Sequence, residues 1–198
     1  MMFHCRFTMV LCLCVLTMVG CANTAESTPT PTPTQHHQVT YLANRLRPGF
    51  KLTLPVDWRY RVTESGLMLA NDARALEATN NSSVMPADTL VADLSLRTPA
   101  EIITAGARNA TELLDAFVGR SPDASEESQY QVVDLLEIDG RDAAQLSATI
   151  AANDTLLLAV ALDDHYLLAV IVATTDKLQE LAADLSDIFA SAQLLQTQ

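Results

Sequence analysis

The chain has 198 residues, of which 12 are basic and 24 acidic, for a formal net charge of −12 at neutral pH. So acidic a surface repels phosphate backbones and anionic headgroups, which argues against nucleic acid as a partner. The four cysteines, Cys5, Cys12, Cys14 and Cys21, all precede Ala22, so the rest of the chain must fold without disulfides or thiolate-held metal.

Met1 to Arg6 is short and carries one base, Arg6. Phe7 to Val19 is an apolar run of 13 residues. A membrane-spanning helix needs roughly 20 residues at 1.5 Å rise each, so this run reads as the h-region of an export signal. It ends in Met18-Val19-Gly20-Cys21, which resembles a bacterial lipobox. In that chemistry a small residue, here Gly20, lets a peptidase reach the following bond, and the thiol of Cys21 takes a diacylglyceryl group. The resemblance implies signal cleavage after Gly20 and lipidation at Cys21. Met18 stands where Leu is commoner. Loss of residues 1–20 removes Arg6 and no acid, leaving a mature charge of −13.

Residues 21–38 read as a tether. Ala22 to Gln38 is rich in Thr and Pro, with Pro alternating from Pro29 to Pro33. Such a segment favours extended polyproline II backbone and cannot build a core. At about 3 Å per residue it reaches roughly 50 Å from a membrane. His36 and His37 close it and read as two solvated polar residues, because no third ligand lies at metal spacing.

Residues 39–198 are the right length for one domain that buries about two-thirds of its unfolded surface. Val39 to Arg47 alternates loosely as a first strand. Phe50-Lys-Leu-Thr-Leu54 alternates cleanly, and Pro55 ends it. Trp58 to Val62 alternates again, and Ser65-Gly66 turns into Leu67 to Ala70, so these segments predict a meander. Asp72 to Leu76 suits a helical turn, and Thr79 to Pro86 a loop. Leu90, Ala92, Leu94 and Leu96 share one face of a strand over Asp88 to Leu96. Pro99 opens a helical region, with Thr111 as cap for a helix over Glu112 to Val118 and Gly119 as its stop.

After an acidic loop, Pro122 to Gln129, come four predicted strands: Gln131 to Ile138, Asp142 to Ala151, Thr155 to Leu162 and Tyr166 to Thr174. Short turns separate them, which favours antiparallel pairing. The last two are apolar nearly throughout, as strands covered on both faces are. Asp176 to Leu194 reads as one amphipathic helix through Leu178, Leu181, Leu185, Ile188 and Phe189. The order predicts an α+β fold: an antiparallel meander with helices packed over one side.

Several of these segments carry a family resemblance. Gly49-Phe50-Lys-Leu-Thr-Leu-Pro55 with Asp57-Trp58, Gly66-Leu-Met-Leu-Ala70, Ile138-Asp-Gly-Arg-Asp-Ala-Ala144 and Ile188-Phe189-Ala190-Ser191 are similar to the PsbP-like group, which includes bacterial lipoproteins of the DcrB type. The resemblance covers residues 50–192. It implies an αβα sandwich around an antiparallel sheet, and proteins that bind other proteins without a shared catalytic site. No interface residue of that group can be matched here.

The sequence singles out few candidates for chemistry. Asp163-Asp164-His165 joins two carboxylates to an imidazole, but it lies at a turn, where Asp is favoured for backbone reasons. Asp123, Glu126 and Glu127 lack the ligand alternation and bend glycine of a calcium loop. Trp58, the only Trp, reads as a core anchor. No nucleophile elbow, zinc helix, phosphate loop or Cys-x-x-Cys occurs. The expectation is therefore an exported lipoprotein, held at the membrane through its lipid anchor on the extracytoplasmic side, with no cofactor, metal or catalytic residue. Its domain binds an envelope or extracellular protein. The alternative is a carrier or sensor of an apolar small molecule or lipid, and a continuous apolar cavity of about 300 Å³ or more decides for it.

Overall fold

The computed structural model describes residues 35–42, 48–81, 84–120, 134–150, 153–174 and 176–195. Its first two strands, β1 (His36–Tyr41) and β2 (Gly49–Pro55), pair antiparallel with Val39 opposite Leu52 and Tyr41 opposite Phe50. A Cβ on Gly49 would stand 2.1 Å from the Tyr41 carbonyl oxygen, so this approach admits only glycine. The strand begins three residues before the point where the sequence places the end of the tether. His36, His37 and Gln38 are drawn into it by backbone pairing with Pro55, Leu54 and Thr53, although their side chains stay largely outside the core.

The expected meander through residues 50–70 is in fact a change of sheet. Pro55 closes β2, the Trp58 amide donates to the Pro55 carbonyl at 3.1 Å, and the indole is buried at 1% exposure. The chain thus crosses the core at Trp58. It re-emerges in a second sheet as β3 (Arg59–Val62) and β4 (Gly66–Ala70).

That second sheet has seven strands in the order β3-β4-β5-β9-β8-β7-β6, each antiparallel to its neighbours. The new members are β5 (Leu90–Arg97), β6 (Asp134–Ile138), β7 (Arg141–Ile150), β8 (Asn153–Leu162) and β9 (His165–Thr174). The apolar strands β8 and β9 lie inside the sheet, and both of their faces are covered. Leu158, Val160, Leu167, Ala169 and Ile171 face the small sheet, while Leu157, Ala159 and Leu168 face the other way.

Helices cover both faces of this sheet, not one. On one face α1 (Ala73–Asn80) lies over β4 and β5, and α2 (Pro99–Ala105) and α3 (Ala110–Arg120) lie over β7, β8 and β9. On the other are the small sheet and α5 (Ala182–Ala190), which share a core built on Phe50, Trp58, Leu94 and Phe189. The result is an α+β fold of stacked layers around a central antiparallel sheet.

Local chemistry sets the helix ends. Asp72 caps α1 by accepting from the Arg74 amide at 2.8 Å. Thr98 and Glu101 form a capping box on α2, which stops at Gly106 with φ 76°. The Asn109 side chain, not Thr111, accepts from the first turn of α3, from the Glu112 amide at 2.9 Å, and Gly119 lies within the helix. The expected closing helix is three elements: α4 (Lys177–Glu180), α5 and a short strand β10 (Gln193–Leu195). β10 pairs with β2, and Ser191 ties the end of α5 to that strand by accepting from the Thr53 amide at 2.8 Å. Pairing with β2 outweighs continued helix here.

The turn into β7 connects the layers. Asp139 and Gly140, at φ 52° and 72°, form the tight turn from β6. The Arg141 guanidinium then donates to the carbonyls of Phe189, Ala190 and Ala192 at 2.8–3.0 Å, at the C-terminus of α5. Asp142, the next residue, accepts from the Ala110 amide at the N-terminus of α3 at 3.3 Å and from the Tyr166 hydroxyl at 3.2 Å. Successive strand residues point to opposite faces, so a cation meets the negative end of one helix and an anion the positive end of the other.

Candidate functional site

The covered face is not filled where α4 and α5 meet the β6 side of the large sheet. A groove of about 480 Å³ opens there. Its floor is Leu158 of β8, Ile171 of β9, and Leu185 and Phe189 of α5, all buried in the core. Leu136 and Ile138 of β6, Leu156 of β8 and Leu178 of α4 form half-buried walls. Their spacing follows from local structure. Alternate residues of β6 and β8 share a face, and Leu178, Leu185 and Phe189 fall on one side of the helices.

The rim is polar and one-signed. Asp154 and Asp176 line it together with Gln145, Ser147, Gln179 and Ser186, and among the described residues no Lys or Arg does. Glu137 lies between Leu136 and Ile138 and opposite Asp142, so its side chain turns to the α3 face of the sheet. Among the described residues neither the Asp154 nor the Asp176 carboxylate has a hydrogen-bond or ion-pair partner. The arrangement can take an apolar body into the floor while leaving a polar end at the mouth.

A second depression, about 600 Å³, flanks the other side of α5 and is lined by His36, Asp139, Asp184, Asp187 and Ser191 among others. It is the larger but the more polar, so it offers a ligand little apolar burial. Among the described residues, no group of three or more His, Cys, Asp or Glu is placed to hold a metal ion.

Cys21, Gly20, Asp123, Glu126 and Glu127 lie outside the described residues. Asp163 and Asp164 form the tip of the β8–β9 hairpin, with Asp163 at φ 55°. The His165 Nδ1 lies 2.5 Å from the carboxylate of Asp164 beside it, which is a local pairing of turn neighbours. Trp58 is in the core, away from the groove. Sequence reasoning missed the groove residues. Their only signal is that Asp154 and Asp176 stand at the start of a strand and of a helix beside apolar stretches.

By sequence the chain matches no family model and no curated protein. By fold it is similar to the cyanobacterial PsbP (CyanoP) of Synechocystis sp. PCC 6803, with TM-score 0.49 and 11% identity over 79% of this chain and 92% of that one. It is also similar to LpqN, involved in cell envelope biogenesis of Mycobacterium tuberculosis, with TM-score 0.46 and 16% identity over 81% of this chain and 92% of that one. The likeness is one of fold.

One buried polar group stands apart from the groove. Asp93 of β5 sits between Met68 and Val170, and its Oδ1 is buried without a hydrogen-bond partner. Burial raises its carboxyl above the ordinary 3.8, while the charges of Arg61 and Arg97 pull the other way. A raised folded-state value means that stability is fullest below the unfolded value and is lost as pH rises through the folded one. Asp93→Asn will therefore stabilise the protein at pH 7, by less than about 1 kcal/mol for a group so partly screened, and leave it unchanged near pH 3. Urea denaturation at the two pH values checks this, and an equal gain at both would refute a charge origin.

Proposed function

We propose that the chain is an exported lipoprotein, anchored at the extracytoplasmic face of a membrane through Cys21, whose domain binds an apolar small molecule without catalysing a reaction. The observation that carries the binding reading is the groove between α4–α5 and the β6 side of the sheet, at about 480 Å³ with a buried apolar floor. Clefts that hold small ligands start at roughly 300 Å³, so this open groove has room for one. The anchor reading rests on Met18-Val19-Gly20-Cys21 after a short apolar run. Among the described residues no helix is long and apolar enough to cross a membrane.

A second reading, binding of an envelope or extracellular protein, is favoured by one edge of the large sheet. Among the described residues strand β3 is unpaired on one side, and it exposes Tyr60 and Val62, with Val56 exposed just before it. A partner strand can add to such an edge, although Arg59 and Arg61 on the same strand blunt it.

Cys21→Ser will abolish incorporation of labelled palmitate and release the protein from the membrane fraction. Fractionation after labelling reads both effects. An unaltered label would dispose of the anchor.

A further inference from the structure

We propose that the groove takes a cationic amphiphile, an apolar chain that carries a positively charged headgroup. The inference rests on the groove being the ligand site and adds the chemistry of the ligand. The lining selects an apolar chain, because the half-buried Leu136, Ile138, Leu156 and Leu178 offer hydrocarbon above a closed floor of Leu158, Ile171, Leu185 and Phe189. The mouth selects the charge. Asp154 comes from β8 and Asp176 from the turn before α4, so two separate elements each bring a carboxylate to one opening. Among the described residues no lining base neutralises them and they have no partners.

Two unneutralised acids disfavour a fatty acid, a phosphate or an anionic lipid, and the net charge of −12 adds a field of the same sign. An ammonium or guanidinium at the mouth gains charge-assisted contacts while its chain lies on the floor. The volume suits a single-chain molecule rather than a folded partner. The rim carboxylates are exposed or half-buried, so each contact is weak and the preference must come from their sum.

The test titrates the full chain, by calorimetry, with decyltrimethylammonium, decyl maltoside and decanoate, each below its micelle concentration. The ammonium is expected to bind about fivefold more tightly than the maltoside, as two exposed ion contacts together supply. The advantage should shrink as salt rises. It should vanish in the double variant Asp154→Asn, Asp176→Asn, with maltoside binding kept. Ala182→Trp, which fills the groove from an exposed helix position, should abolish binding of both, with circular dichroism confirming the fold. Equal affinity for ammonium and maltoside, or tighter binding of decanoate, overturns the cationic ligand and leaves the groove as a site. No binding of any probe, or binding that survives Ala182→Trp, overturns the groove reading as well.

Discussion

Arg141→Ala will lower the unfolding free energy by about 3 kcal/mol and the midpoint of thermal unfolding by about 6–12 °C. One guanidinium satisfies the carbonyls of Phe189, Ala190 and Ala192, and its Nε reaches Ile138 at 3.2 Å. These include carbonyls that the end of α5 cannot satisfy within the helix. Alanine leaves them half-buried and removes the cation that faces the helix's negative end. Lysine keeps the charge but cannot fork across three acceptors, so Arg141→Lys should recover less than half of the loss. Because α5 forms one wall of the groove, the alanine variant should also weaken amphiphile binding at temperatures where it remains folded. Differential scanning calorimetry measures the first effect. A midpoint within 2 °C of the parent would show that the carbonyls find other partners.

Trp58→Ala should cost still more, about 4 kcal/mol. Trp58 is among the largest of the fully buried side chains and fills the point where the chain passes from the small sheet to the large one. Alanine leaves a cavity between two sheets whose backbones are fixed by their own pairing, so the site cannot collapse to close it. Urea unfolding followed by circular dichroism should show a lower midpoint at an unchanged slope. If Trp58 served instead to stack a ligand, stability would hold and affinity would fall.

Much of the architecture follows from short-range pattern. Alternation and turn residues delimit β5 and β7 to β9 within a residue or two, because each strand has a clear face or is apolar on both. Thr98-Pro99 and Gly106 mark α2 by chemistry that acts within one turn. What escapes the sequence is whatever depends on a distant partner. The period through Leu178, Leu181, Leu185 and Phe189 continues across the break at Leu181, so hydrophobic spacing cannot see it. Gln193 to Leu195 becomes a strand only because Gly49 to Lys51 lies beside it. His36 and His37 look like tether until Leu54 and Pro55 supply the pairing. The groove is hardest of all, since its floor and rim come from six separate elements and adjoining turns.

The Arg141-Asp142 pair also specifies alignment. A slip of β7 by one residue turns each side chain to the opposite face. The anion would then approach the carbonyl end of α5, and the cation the amide end of α3. Both contacts would become repulsive at once, in addition to the apolar positions misplaced along Ala143 to Ala148. The two residues thus act as a key against misaligned hairpins, and that protection does not show in the energy of the correct pairing alone.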